Sequence, residues 1–265
     1  MTSDDPESAH AQGPIASLIV PILYAEPQLR DTLCALAALR DRMDLEILVV
    51  VDVPDPSREA EARESNDAVA KEAGARVVYR VDQRGFGSAL RRGFAEARGG
   101  IMIPLMGDAS EKPEDVVRLV EATNRGWDVV AGSRYMRGGG VIGNTMKQRL
   151  SRVYSLLCRM VGGPKIHDIS NAFKAYRRSV VESVETVADS FDISVELAVK
   201  AYRAGFRVGE VPTVWTNRRE GTSHFSVRRE LTNYGRWLLL AATPRGAAAG
   251  RRDVSVSPTT TRRTP

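Results

Sequence analysis

Three oxygen-bearing side chains stand close together in the segment IMIPLMGDASEKP, residues 101–113: Asp108, Ser110 and Glu111. Hard oxygen donors at this spacing suit a divalent cation held against a diphosphate. The apolar run before them, 101–107, reads as a buried strand, so Asp108 falls at a strand's C-terminal edge, where open α/β sheets bind their ligands. Pro113 begins a helix-like pattern, and Asp108 or Ser110 would serve equally well as its N-cap. A second carboxylate, Asp52, closes the apolar run LEILVVVD. There the plain alternative is a turn aspartate accepting local N–H bonds.

Elements able to position these groups surround them. Residues 17–33, SLIVPILYAEPQLRDTL, read as a buried strand, a proline break, and then Leu29 and Leu33, joined by Leu36, at helical spacing. The run at 45–52 is rich in β-branched residues, as strands are. A third strand at 76–80 leads into RGFGSALRRGFAEA, where Gly85 and Gly87 precede another helical pattern, with Arg92 on its solvated side. Strand and helix alternate, which predicts an α/β fold whose mainly parallel central sheet carries helices on both faces.

With 265 residues, 43% of them hydrophobic, the chain can bury a substantial core in one domain, placed at 15–245. Residues 1–14 and the basic tail 246–265 are polar and small, and read as disordered. The N-terminus lacks an apolar signal segment. The longest late apolar run, 237–242, is far below the ~20 residues that span a bilayer. This predicts a cytoplasmic or peripheral protein. Cys34 and Cys158 lie in helical apolar surroundings and read as buried reduced thiols.

The net charge of +5 is unevenly spread. Between Arg134 and Arg178 there are ten Lys and Arg against one acid, Asp168, a local excess of 10 − 1 = +9 suited to phosphate. Within it, MKQRLSRVYSLLCRMV places Leu150, Val153, Tyr154, Leu157 and Met160 on one helical stripe. Such a helix fits either an ordinary core-facing position or an anionic membrane surface, where each nearby basic side chain contributes ~1 kcal/mol. Nucleic acid is disfavoured by the 6% aromatic content and by the lack of any base-reading motif. A dinucleotide oxidoreductase is disfavoured because no Gly-x-Gly-x-x-Gly follows a strand.

The ordered series VPILYAE, VVVD, RGFGSALRRGF, the Asp108 strand end, VVAGSRY, DISNAFKAYRR and VPTVWTNRREGTSHF resembles the inverting family-2 glycosyltransferases of GT-A fold. Within them it is most similar to the dolichyl- and polyprenyl-phosphate sugar synthases of the dolichol-phosphate mannose synthase type. The resemblance spans about residues 15–245. It implies transfer of a hexose or N-acetylhexosamine from a GDP- or UDP-linked sugar to a polyprenyl phosphate, with Mg2+ or Mn2+, at the cytoplasmic membrane face. It leaves oligomeric state open. Two other readings stand beside it: a hydroxyl acceptor, or a non-catalytic nucleotide-binding relative.

Residue by residue, the resemblance implies a nucleotide-sugar pocket of Pro21, Tyr24, Glu26, Asp52, Gly85 and Gly87, completed by Arg218, Ser223 and His224 over the diphosphate. Asp108 is implied as the catalytic metal ligand, helped by Ser110 or Glu111. Ser133, Arg134, Arg149, Arg152, Ser170, Asn171 and Lys174 are implied to bind the acceptor phosphate, with Phe173 in the same loop. Asp168 is implied to orient the acceptor or a cation, and for a hydroxyl acceptor it is the leading general base. The chain departs from the family pattern at Ala25, Val53, Ser110, Lys174 and His224, where Asn, Asp, Asp, Arg and Lys are usual. The glycines have a simpler reading as a tight turn, and His224 as an exposed loop histidine.

Overall fold

Side chains along the aliphatic runs alternate between two cores, as strands buried on both faces require. In β1 (Ala16–Leu23), Leu18, Val20 and Ile22 face one core and Ile19 the other; in β2 (Leu45–Val53), Ile47, Val49 and Val51 are opposed by Leu48 and Val50. The computed structural model describes residues 15–143, 146–216 and 227–243. The expected disordered ends, 1–14 and 246–265, lie outside that range.

Seven strands form the main sheet. β1 pairs in parallel with β2 on one side and β4 (Ile101–Pro104) on the other, and β2 pairs with β3 (Arg76–Val81). Beyond β4 come β7 (Lys174–Arg177), β5 (Val129–Ser133) and β8 (Val208–Pro212), giving the order β3-β2-β1-β4-β7-β5-β8. Only β7 runs antiparallel, to both β4 and β5. A small second sheet pairs β6 (Gly140–Ile142) with β9 (Val214–Thr216).

Helices α1 (Leu29–Ala37), α2 (Glu59–Glu72) and α4 (Pro113–Asn124) cover one face. The other face carries α3 (Phe86–Glu96), α5 (Met146–Met160), α6 (Arg178–Ser183), α7 (Ile193–Arg203) and α8 (Val227–Ala242). The predicted mainly parallel α/β architecture is present.

Local expectations fail at three points. β1 does not break at Pro21. The missing Pro21 N–H would point toward β4, whose pairing with β1 ends at Ile19 and Pro104, so no ladder bond is lost. The run at 101–107 is strand only to Pro104, and residues 105–107 already belong to the loop. Cys34 is exposed on the outer side of α1, whereas Cys158 is buried as expected.

Candidate active site

The chain builds β1, β2 and β3 outward in one direction and then crosses back to place β4 on the other side of β1. The order reverses between β1 and β4, which opens a crevice at their C-terminal ends. Tyr24 and Glu26 follow β1 there, and residues 105–111 follow β4. The two loops touch: a Cβ on Gly107 would lie 2.8 Å from the Ile22 side chain and 3.4 Å from that of Glu26. Thr32 of α1 fixes the second loop, donating to Gly107 O and accepting from Ala109 N, both at 3.0 Å. Tyr24 (φ 53°) and Ala109 (φ 53°) hold left-handed conformations unusual for residues with a Cβ, a form of strain that collects at functional sites.

Asp108 does not cap α4, which has no side-chain cap. Its Oδ1 accepts from Ser110 N at 3.1 Å, Ser110 Oγ donates to Glu111 Oε2 at 3.0 Å, and Met106 N donates to the same Glu111 oxygen at 3.2 Å. Asp108 and Ser110 are buried, at 3% and 2% exposure. Burial first, and the adjacent Asp108 charge second, push the Glu111 carboxyl up to about 8. Two acids that repel one another in a hard-oxygen cluster are the donor set a divalent cation relieves, so the residues fit Mg2+ or Mn2+. Among the described residues no group of three or more His, Cys, Asp or Glu is placed to hold an ion alone. Further oxygens, such as those of a diphosphate, would have to complete the shell.

Asp52, at the end of β2, is an internal brace rather than a local turn aspartate. Its Oδ1 accepts from Arg80 Nη1 at 2.8 Å and its Oδ2 from Gly85 N at 2.9 Å, while Arg80 Nη2 reaches Ser88 Oγ at 2.7 Å. Burial raises the Asp52 carboxyl, with Arg80 opposing. Pro21 is likewise buried and shapes the strand. Gly85 and Gly87 are required by protein packing: a Cβ on Gly87 would meet Ala188 O at 2.1 Å.

The second half of the edge is built differently. Because β7 runs antiparallel, its beginning lies where β4 and β5 end, which brings residues 168–173 beside Ser133 and Arg134. Arg134 grips Asp168 with two prongs, Nε to Oδ2 at 2.6 Å and Nη2 to Oδ1 at 3.0 Å, and its backbone N–H adds a third bond at 3.1 Å. Burial opposes both charges. Their mutual attraction outweighs it, holding Arg134 above and Asp168 below their usual ranges. Asp168, expected as a base for a hydroxyl acceptor, is fully buried, and its two oxygens are taken up by Arg134 and by Asn171 N at 3.2 Å.

Three implied acceptor contacts act on the loop instead. Ser133 Oγ accepts from Met136 N, Asn171 Nδ2 donates to Gly132 O at 2.8 Å, and the fully buried Lys174 gives its ammonium to Ile169 O and Asn171 O. Burial lowers Lys174 to about 7, with Asp168 opposing. Ser170 Oγ is half-buried and lies 2.5 Å from Ser151 Oγ of α5, which also accepts from Tyr135 OH at 2.9 Å.

The polar face of α5 therefore turns inward. Gln148 and Ser155 are buried, while Leu150, Val153, Leu156, Leu157 and Met160 are 44%, 55%, 53%, 41% and 73% exposed. Of the apolar stripe expected from the sequence, Leu150, Val153, Leu157 and Met160 face solvent, which overturns the core-facing placement for these four, while Tyr154 is half-buried and turns to α8, stacking edge-on with Tyr234 at 5.0 Å and donating to Tyr234 O at 2.9 Å. Arg149 and Arg152 flank it and are exposed. Arg92 is exposed and pairs with Glu96. Arg218, Ser223 and His224 lie outside the described residues. The chain ahead of them reaches the Asp108 loop, because Thr216 N at the end of β9 donates to Ser110 O at 3.0 Å.

Sequence reasoning missed Thr32, whose partners Gly107 and Ala109 lie 75 and 77 positions away, and Arg80, whose carboxylate partner Asp52 lies 28 positions away; neither gives a local signal.

The family model "Glycosyl transferase family 2" matches residues 17–185. The chain is 30% identical over 210 residues to a dolichol-phosphate mannosyltransferase of Pyrococcus furiosus, covering 78% of this chain and 58% of that protein. It is 33% identical over 171 residues to a polyprenol monophosphomannose synthase of Mycolicibacterium smegmatis, covering 61% and 64%. It thus spans less than two thirds of either relative. Among solved structures, glucosyl-3-phosphoglycerate synthase of Mycobacterium tuberculosis, bound to Mn2+, UDP and its product, superposes with a TM-score of 0.63 at 19% identity, over 86% of this chain and 78% of that one. That likeness concerns the GT-A fold.

Proposed function

The chain belongs to glycosyl transferase family 2, and we propose that it transfers a hexose or N-acetylhexosamine from a GDP- or UDP-linked sugar to a polyprenyl phosphate, inverting the anomeric configuration. The observation that carries the choice of acceptor is the sealed Asp168. A hydroxyl acceptor needs a base, and the leading candidate is buried and committed to Arg134. A phosphate monoester has a second pKa of about 6 and is mostly dianionic at pH 7, so it attacks without one. Relatives named for dolichol-phosphate and polyprenol substrates support the same choice.

In this reading Tyr24, Glu26 and the turn braced by Asp52 receive the nucleotide. Asp108, Ser110 and Glu111 would hold Mg2+ or Mn2+, which when bound offsets negative charge on the departing nucleoside diphosphate. Arg218, Ser223 and His224 are assigned to the diphosphate, as the family pattern implies. Arg134 and Lys174 shape the acceptor loop, Ser170 faces the acceptor, and Arg149 and Arg152 draw in its phosphate.

The outward apolar face of α5, flanked by those arginines, suits the headgroup region of an anionic leaflet. No helix among the described residues is long and apolar enough to cross a membrane; from the exposed face of α5 and the lipid-linked acceptor proposed above, we assign these residues a peripheral position at the cytoplasmic face.

A panel of nucleotide sugars incubated with Mn2+, polyprenyl phosphate and the protein tests this. The expected result is one glycolipid product of inverted configuration. Transfer to a glycan hydroxyl but not to polyprenyl phosphate would overturn the acceptor; nucleotide binding with no transfer to any acceptor would favour the non-catalytic reading.

A further inference from the structure

The turn bearing Gly85 and Gly87 is backed by a strap, residues 187–189, that no sequence motif marks. The two backbones are in direct contact. Gly87 N donates to Asp189 O at 2.9 Å, a Cβ on Gly85 would sit 2.9 Å from that same oxygen, and Arg91 Nη1 donates to Ala188 O at 2.6 Å. Phe86 in the turn stacks on Phe191 just past the strap, with ring centroids 4.4 Å apart.

Glu196 of α7 fixes the strap. It is fully buried, accepts from Val187 N at 3.0 Å on both oxygens and from Ala188 N at 2.8 Å, and pairs with Lys200 Nζ at 2.6 Å. A buried carboxylate is tolerated only when its lone pairs are satisfied, and charge-assisted bonds to backbone N–H groups are among the strongest available. The bonds run onward without a break. Glu196 holds 187 and 188, 188 and 189 hold the turn, and Gly85 N on the turn's other side holds Asp52.

We propose that Glu196 is a positioning residue for the nucleotide, keeping the strap, the Gly85–Gly87 turn and Asp52 in the receptive conformation from the far side of α3. The proposal rests on the reading of this edge as a nucleotide-sugar site and adds a residue outside it. Glu196 need not touch the nucleotide. Its effect is preorganisation: a turn already held in place does not have to be ordered on binding.

Calorimetric titration with Mn2+ plus UDP, and with Mn2+ plus GDP, would compare the wild type with Glu196→Gln, Arg91→Met and Leu119→Ala. Glu196→Gln puts an amide N–H2 where the strap and Lys200 need acceptors. Arg91→Met frees Ala188 O of the strap from the α3 side through a part-exposed side chain and leaves Glu196 intact, so it serves also if Glu196→Gln fails to fold. Leu119→Ala opens a cavity in the opposite core. The expected result is a roughly tenfold rise in the nucleotide Kd for each of the first two, with the double variant little worse than either because they share one route. Leu119→Ala should lower Tm at unchanged Kd. In turnover, Glu196→Gln should raise KM for the sugar nucleotide and leave KM for polyprenyl phosphate in place. Glu196→Gln, or Arg91→Met standing in for it, that loses Tm yet binds nucleotide like the wild type would overturn the proposal and leave Glu196 as an anchor of α7. A wild type that binds neither nucleotide would overturn the donor reading itself, a result distinct from the first.

Discussion

At the end of β4, Asp108 and Glu111 share a buried loop with a serine between them, whereas across the same sheet edge Asp168 shares its pocket with Arg134. The first pair consists of two acids, and Glu111 is pushed to about 8 by burial and by its neighbour. The second pair is acid and base, and each partner holds the other's charge. A cluster that neutralises its own charge serves as scaffold; one whose charges repel is suited to an incoming cation and anionic substrate. In the reading proposed above, the two halves of one edge divide the work, the donor half holding like charges close together and the acceptor half supplying shape.

Removing one partner from the balanced half should produce the largest effect. Arg134→Ala leaves Asp168 buried and unpaired, a change that costs about 3–5 kcal/mol of stability. Urea titration should show it, and Arg134→Met with Asp168→Leu together should recover most of the loss. If the single variant keeps its stability, the scaffold reading fails.

The half in which like charges crowd should respond in activity rather than in stability. Asp108→Ala should abolish transfer by more than about a hundredfold, because unit charges 4 Å apart attract by about 4 kcal/mol at an effective dielectric of 20. Tm should stay close to that of the wild type. Near-normal turnover of the variant, or full activity in excess EDTA, would remove the metal from this loop.

Lys174 sharpens the comparison through pH. Its folded value of about 7 lies below the ordinary 10.5, so between them the unfolded chain binds the extra proton. Stability should therefore rise as pH increases through that window, by at most about 1.4 kcal/mol per unit. Lys174→Met should lack this rise. An unchanged pH profile would show that the ammonium stays charged inside the loop.

The smallest effect belongs to the exposed flank of α5. Arg149→Glu with Arg152→Glu should weaken sedimentation with anionic liposomes by about 1 kcal/mol per charge removed from the surface, raise KM for polyprenyl phosphate, and leave nucleotide binding nearly unchanged. Added salt should imitate part of the loss, since exposed charges are screened beyond about 8 Å at physiological ionic strength. Lost nucleotide affinity with intact lipid kinetics would move this helix to the donor half.

Continuous apolar runs rich in β-branched residues made the strands legible in sequence, and an acid after an apolar run marked the crevice at Asp108, because both signals are local. The bonds that hold the crevice are not local. Thr32 meets Gly107 across 75 positions, and Asp52 meets Gly85 across 33. The orientation of α5 was hidden for another reason. A helical stripe shows that two faces differ, but a buried Gln148 and an exposed Leu150 reverse the usual assignment of inside and outside. Lys174 and Asp168 carried the right charges for substrate contact, yet their burial, which sequence does not report, commits them to the loop.

The reversal of β7 has a consequence for how such a protein can change. Residues 134–173 leave the sheet at β5 and return beside it as β7, so both ends of that excursion are stitched into neighbouring strands. What is built between them can vary with its entrance and exit already fixed, so long as β9, which pairs with β6 inside the excursion, varies with it. In the reading proposed above, a graft of 134–173 together with β9 should therefore carry acceptor preference from one scaffold to another while the sugar nucleotide served remains that of the host.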